Sequence, residues 1–140
     1  MAEQNATRGL SGVHKSLVKV PAHAAATATE QWPVFFAPFP CIVTGCKIVP
    51  QAAATGDNTN TTNLNLVNKG AAGSGTTELA NLDPVTGTNL TAFADSSLTV
   101  TGSLANRTLA EGDVLTLQHE KVGTGLAIAE LLVEISYKAA

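Results

Sequence analysis

Positive charge is scarce in this sequence and never clusters. Its eight basic residues, Arg8, Lys15, Lys19, Lys47, Lys69, Arg107, Lys121 and Lys138, are outnumbered by eleven acids, for a formal net charge of -3. Nucleic-acid binding draws on counterion release by several clustered cations, so a DNA or RNA partner is excluded. A charge-driven membrane contact is unsupported for the same reason. No run approaches the roughly 20 apolar residues that span a bilayer. Aromatic residues make up 4% of the chain, and much of the 44% hydrophobic content is alanine, which fills little core. The core must come from Val, Leu and Ile at about 25 cal/mol per Å² of buried apolar surface, which predicts a marginal monomer that subunit association would stabilise.

Cysteine is nearly absent as well. Cys41 and Cys46 are the only two, too few for a disulfide framework, and with His14, His23 and His119 they match no zinc spacing. On one uninterrupted strand a step of five residues puts Cys41 and Cys46 on opposite faces. The polar start Met-Ala-Glu-Gln-Asn-Ala-Thr-Arg has no apolar h-region, so no Sec signal is predicted and synthesis is expected in a cytoplasm, where both thiols stay reduced.

Catalytic constellations are missing too. There is no G-x-S-x-G elbow, and neither cysteine has an activating histidine beside it; Lys47 next to Cys46 is the one basic neighbour. Asp57, Asp83, Asp95 and Asp113 each adjoin Gly, Pro or Ser, where a carboxylate commonly closes an Asx turn. Gly70-Ala71-Ala72-Gly73-Ser74-Gly75 lacks the Lys-Ser/Thr ending and the helix of a phosphate loop, and is predicted to be a hairpin loop. His119, on a face with Leu115 and Leu117, is predicted at a core rim or interface. No catalytic residue, metal site, cofactor or small-molecule substrate is assigned.

What the chain does have is period-two patterning broken by turns. Val13 to Val20 is β-prone and stopped by Pro21, either as an edge strand or as an arm strand pairing with another subunit. Residues 21–29 read as a linker. Gln31 to Pro40 gathers the single Trp and three of the four Phe among three prolines, which belongs on an edge, in a bend or at a contact surface. In the strand from Cys41 to Pro50, Ile42, Thr44, Cys46 and Ile48 share one face and Val43 and Val49 the other. Leu64 and Leu66 alternate with Asn63 and Asn65 in the next strand. Glu78 to Leu82 is predicted as a helical turn, Leu90 to Phe93 and Leu98 to Val100 as short strands. Val114 to His119 is a further strand. Ala127, Ala129, Leu131, Val133, Ile135 and Tyr137 form one face of the last. The pattern predicts an all-β fold: a jelly-roll-like β-sandwich of about eight short strands over residues 30–140, preceded by an extended N-terminal arm and linker over 1–29. Its 18 threonines and nine asparagines predict an uncharged surface suited to packed assemblies or carbohydrate contact.

Ile42 to Pro50 leading into Thr55-Gly56-Asp57, Leu64-Asn65-Leu66-Val67-Asn68-Lys69-Gly70, Leu109 to Leu117, and Val122-Gly123-Thr124-Gly125-Leu126 together resemble the jelly-roll head decoration proteins of tailed bacteriophages. The resemblance covers about two-thirds of the chain, Cys41 to Tyr137. It implies a capsid cement protein: a homotrimer on the outer capsid surface of the virion, at local three-fold positions, stabilising a shell of major capsid protein. A carbohydrate- or receptor-binding module of a virion is the alternative, and a small β-fold enzyme ranks third. The family fixes no contact residue. Candidates come from the β-prone arm (Val13, Leu17, Val18, Val20) and the aromatic cluster (Trp32, Phe35, Phe36, Phe39), because extended segments add to sheet edges and aromatics dominate hot spots. The aromatic cluster is also read as a lid over one open end of the sandwich.

Overall fold

The computed structural model describes residues 12–140. Nine strands fill most of it: β1 (His14–Val20), β2 (Glu30–Phe36), β3 (Cys41–Pro50), β4 (Thr61–Gly70), β5 (Thr77–Leu82), β6 (Ser96–Val100), β7 (Thr108–Leu109), β8 (Val114–Val122) and β9 (Leu131–Ala139). A single helical turn, α1 (Leu104–Arg107), precedes β7, with the Ser103 hydroxyl accepting from the Asn106 N–H as its cap. The fold is all-β, as the period-two pattern predicts.

All pairings between strands are antiparallel, in the order β1-β9-β3-β6-β5-β4-β8-β2, with β7 paired to β3 off this path. The two end strands, β1 and β2, come back against each other without a ladder between them, so the sheet is nearly closed into a barrel. Alternation along a path of eight makes β1 and β2 antiparallel neighbours, the orientation that closure requires. On β2, Pro33 has no N–H to donate, and the ladder with β8 slips register between Pro33 and Phe35. Such blunted edges resist uncontrolled strand addition.

The core is one cluster drawn from every part of the barrel, including Val20, Val43, Ile48, Leu64, Leu66, Leu79, Leu115, Leu117, Leu131, Val133 and Ile135. In β9 the inward set is Leu131, Val133 and Ile135, as predicted; the strand begins at Leu131, and in the segment before it Ile128, not Ala127 or Ala129, is buried.

Four expectations change. First, β3 holds a bulge between Val43 and Gly45, so its inward residues run Cys41, Val43, then Cys46, Ile48, Pro50. The extra residue shifts the phase by one, and both cysteines point into the core instead of to opposite faces. Second, Glu78 to Leu82 lies within strand β5: it pairs with β4 from Leu64↔Leu82 to Val67↔Glu78, with a bulge that skips Leu79, and that ladder overrides the helical preference of Glu-Leu-Ala. Third, Leu90 to Phe93 forms no strand; Leu90 makes an isolated bridge to Ala54, and Phe93 turns the chain at φ 59°. Fourth, Val13 to Val20 is not a free arm beyond its first residue. His14–Val20 pairs along its whole length with β9, the edge-strand alternative, so any arm lies N-terminal to β1, outside the described residues.

Candidate functional site

The two ends of the barrel are stoppered differently. At the end where β1 starts and β9 finishes, Tyr137 is the hub of an aromatic group: His14 stacks on it at 5.3 Å between centroids, Phe35 meets it edge-on at 4.8 Å, and Phe39 lies at 6.0 Å. Offset and edge-on geometries of this kind add to the area that the rings bury. Phe35 and Phe39 therefore serve as the lid read from the proline-rich stretch. Trp32 also packs against the core, from its place beside Leu117 in the β2–β8 ladder.

The opposite end is closed by the crossover from β1 to β2, residues 21–29. His23 in this crossover bridges Ile128 through two backbone hydrogen bonds of 2.8 and 2.9 Å. Its ring stacks on that of His119 from β8, with centroids 5.0 Å apart and planes 18° from parallel. Both histidines are buried, and the Nδ1 of His23 donates to Glu30 Oε1 at 2.8 Å. His119 is thus core, not rim. Sequence spacing could not find this pair, because its partners are 96 positions apart and the crossover has the composition of a linker.

Of the eight candidate contact residues, the fold leaves three accessible. Leu17 is 62% exposed, Phe36 68%, and Val13 is exposed just before β1. Val20 and Phe35 are buried in the core, and Val18, Trp32 and Phe39 are packed against it, so their side chains are committed within the chain. Leu17 and Phe36 come together at the β1/β2 seam, across a shallow groove of about 450 Å³ that Val18, Pro33, Val34 and Phe35 also line. An exposed Leu and Phe lining one groove on an incompletely paired seam form the most apolar accessible feature drawn from that set. A second, smaller depression of about 300 Å³ lies beside Leu132, Val49 and Phe93, where Phe93 stands 78% exposed with its N–H donating to Pro50 O at 2.8 Å. Around it the ion pairs Lys19–Glu130 (3.6 Å) and Lys47–Asp95 (3.5 Å) are exposed and contribute little stability.

Part of the Asn-rich face is bonded from within, while Asn63 Oδ1 is buried without a partner. Asn81, Asn65, Gln118 and Gln31 occupy one row across β5, β4, β8 and β2. Asn81 Nδ2 donates to Asn65 Oδ1 at 2.7 Å and Asn65 Nδ2 to Gln118 Oε1 at 2.9 Å, while the Thr116 hydroxyl donates to Gln31 Oε1 at 2.8 Å.

Asp57 accepts from the Thr59 and Asn60 N–H groups at 2.7 Å each, bonds that lower its pKa, as its turn position predicts. Asp113 braces the turn before β8 by accepting from the Ala110 N–H at 3.0 Å. Glu78 is raised by burial and then by the charges of Glu120 and Asp83. No group of three or more His, Cys, Asp or Glu among the described residues is arranged to hold a metal ion. Among those residues no helix is long and apolar enough to cross a membrane. Cys41 and Cys46 are both free and buried; burial raises Cys41, with the Asp113 charge adding to it, and pushes Cys46 up to about 12. A thiol that far from ionisation has almost no nucleophilic form at neutral pH. The native protein is therefore expected to leave Cys46 unmodified by an aromatic disulfide reagent at pH 8, with reaction appearing only on unfolding. Rapid labelling of Cys46 in the folded chain would contradict the burial.

These features define a class: a small, nearly closed antiparallel β-barrel with plugged ends and an apolar patch at its seam. In a comparison with solved structures, the chain is similar to a chain of the structure described as the cyanophage Pam1 capsid asymmetric unit, at 22% identity and a TM-score of 0.54, over 91% of this chain and 85% of that one. At that identity the likeness establishes a shared fold. No protein-family model matches the chain, and no curated protein matches it.

Proposed function

We propose that this chain is a structural virion protein, without enzymatic activity, that decorates and stabilises a bacteriophage capsid by binding as a trimer to the outer surface of the major capsid protein shell. The observation that carries the reading is the fold likeness across 91% of the chain to a component of a cyanophage capsid. The strand order supports the jelly-roll form of that fold. With the two-residue β7 set aside, the eight remaining strands pair first with last, second with seventh, third with sixth and fourth with fifth: β1–β9, β2–β8, β3–β6 and β4–β5. Such pairing supports a reading as one long hairpin wound upon itself, the plan of a double-sheet jelly roll. Exposed Leu17 and Phe36 at the seam supply a contact surface; the N-terminal end of the arm read from the sequence, residues 1–11, lies outside the described residues.

The test is native mass measurement of the purified chain, followed by co-sedimentation with particles of its phage that lack it. A trimer mass and saturable binding are expected. Deleting residues 1–11 leaves β1 intact and is expected to keep the trimer and its melting temperature while weakening particle binding at least tenfold. Decorated particles should also resist heat better than bare ones, by linkage to the bound state. A monomer that never sediments with the shells would overturn the reading.

A further inference from the structure

The histidine pair at the crossover end has features that shape-filling does not account for. His119 has no exposed surface, and neither ring nitrogen has a hydrogen-bond partner; the Nε2 of His23 is likewise buried without one. Shape alone would be met as well by an apolar side chain, which would leave no buried polar atom without a partner. The one carboxylate near His119 is Glu30, its register partner on β2, and burial outweighs the support that this charge gives a proton there. Facing it are the His23 ring from the crossover and Glu30 from β2, whose Oε1 already accepts from His23 Nδ1. From β4 the register partner is Leu64, and the segment before β9 brings Ile128 against His23. Lys121, two residues further along β8, spends its ammonium on Ala26 O at 3.4 Å.

The crossover held by this pair has few other fastenings. Besides the His23–Ile128 bridge, it is tied by Thr29 Oγ1, which accepts from the Lys121 N–H at 3.0 Å, and by the Lys121–Ala26 contact. Most of residues 21–29 are otherwise exposed. A segment with so few buried contacts opens at lower cost than the ladders of β3 and β9.

We propose that the stacked His23–His119 pair is an acid-operated latch: protonation within the stack releases residues 21–29 from the end of the barrel while the strand ladders stay folded. A second proton placed between two rings 5.0 Å apart repels the first, and opening the crossover hydrates both. Burial, followed by the proximity of His23 and opposed by Glu30, lowers His119 to about 4. With a folded value below the ordinary 6.5, the closed form binds fewer protons than the open one. Closure is therefore complete above pH 6.5 and weakens as pH falls from there toward about 4. The inference stands on the geometry of the barrel end and is independent of the virion reading.

Amide hydrogen exchange read by mass spectrometry on the full chain, with exchange times scaled for the intrinsic pH dependence, tests it. Peptides over residues 22–29 are expected to lose protection about tenfold per pH unit between 6.5 and 4.5. Peptides from β3 and β9 should hold theirs. His119→Leu is expected to abolish the pH dependence of the crossover; His119→Phe, which keeps a ring against His23, serves should the leucine variant not fold. Direct NMR titration of the wild-type histidines gives a further readout that needs no variant: His119 should titrate well below pH 6. Unchanged protection of the crossover down to pH 4.5, a pH-dependent loss that the His119 variants retain, or an ordinary titration midpoint for His119 would each overturn the latch.

Discussion

Replacing Leu17 and Phe36 together by aspartate is expected to abolish attachment to capsid shells, with at least a hundredfold loss of affinity, while the isolated protein melts within a few degrees of wild type. Both side chains are largely solvent-exposed, so the folded monomer loses little apolar burial when they change. In a docked complex they would be the buried anchors of the β1/β2 seam, and truncating a hot-spot aromatic typically costs 2 kcal/mol or more. Two carboxylates driven into that contact add a desolvation penalty, which brings the combined effect to about 3 kcal/mol or above, or more than two orders of magnitude in Kd. Co-sedimentation of the double variant with shells reads the result. The control is Leu132→Asp, on the outer face of β9 next to the smaller depression, which should bind normally. Equal binding by the Leu17/Phe36 variant would move the contact away from the seam.

The second large effect concerns the fold itself. Leu117 lies at the middle of β8, between Trp32 of β2 and Leu66 of β4, and is fully buried. Leu117→Ala is expected to cost about 3–4 kcal/mol, the lost transfer energy of the side chain plus a cavity that two flanking ladders prevent from collapsing. In a domain of this size that is a large share of total stability, equivalent to about 10 °C or more in Tm. Leu132→Ala, on the exposed side of β9, should cost well under 1 kcal/mol. Urea titration of the two variants checks the contrast, and similar midpoints would show that the core is not organised around β8.

Much of the architecture was legible because alternation on a half-buried strand is enforced by solvent on one face and packing on the other. The segments ending at Val20, Pro50, Gly70 and Val122 are punctuated by Pro, Gly or Asn/Asp clusters that cannot continue a ladder, so strand existence followed from local chemistry. The bulge at Val43/Gly45 was not legible. A single extra residue inverts every later side chain, and only the partner strand β9 determines where it falls. The helical preference of Glu78 to Leu82 misled for a related reason: local propensity amounts to tenths of a kcal/mol per residue, whereas four of its five residues are register partners of β4. In the candidate site, the patterning flagged Leu17 and Phe36 along with six neighbours, and it could not tell accessible residues from core ones until closure of the barrel assigned each a side.

By itself the sequence determined that this protein is an all-β domain lacking basic patches, disulfides and the local motifs of catalysis, since each of those depends on composition or on residues near one another in the chain. Tertiary structure alone decided that β1 belongs to the barrel instead of to an arm, that Leu17 and Phe36 meet at one seam, and that His23 lies on His119. Those outcomes depend on contacts between segments tens of residues apart. Their energies come from cross-strand ladders and shared burial, which exist only once the chain has closed on itself.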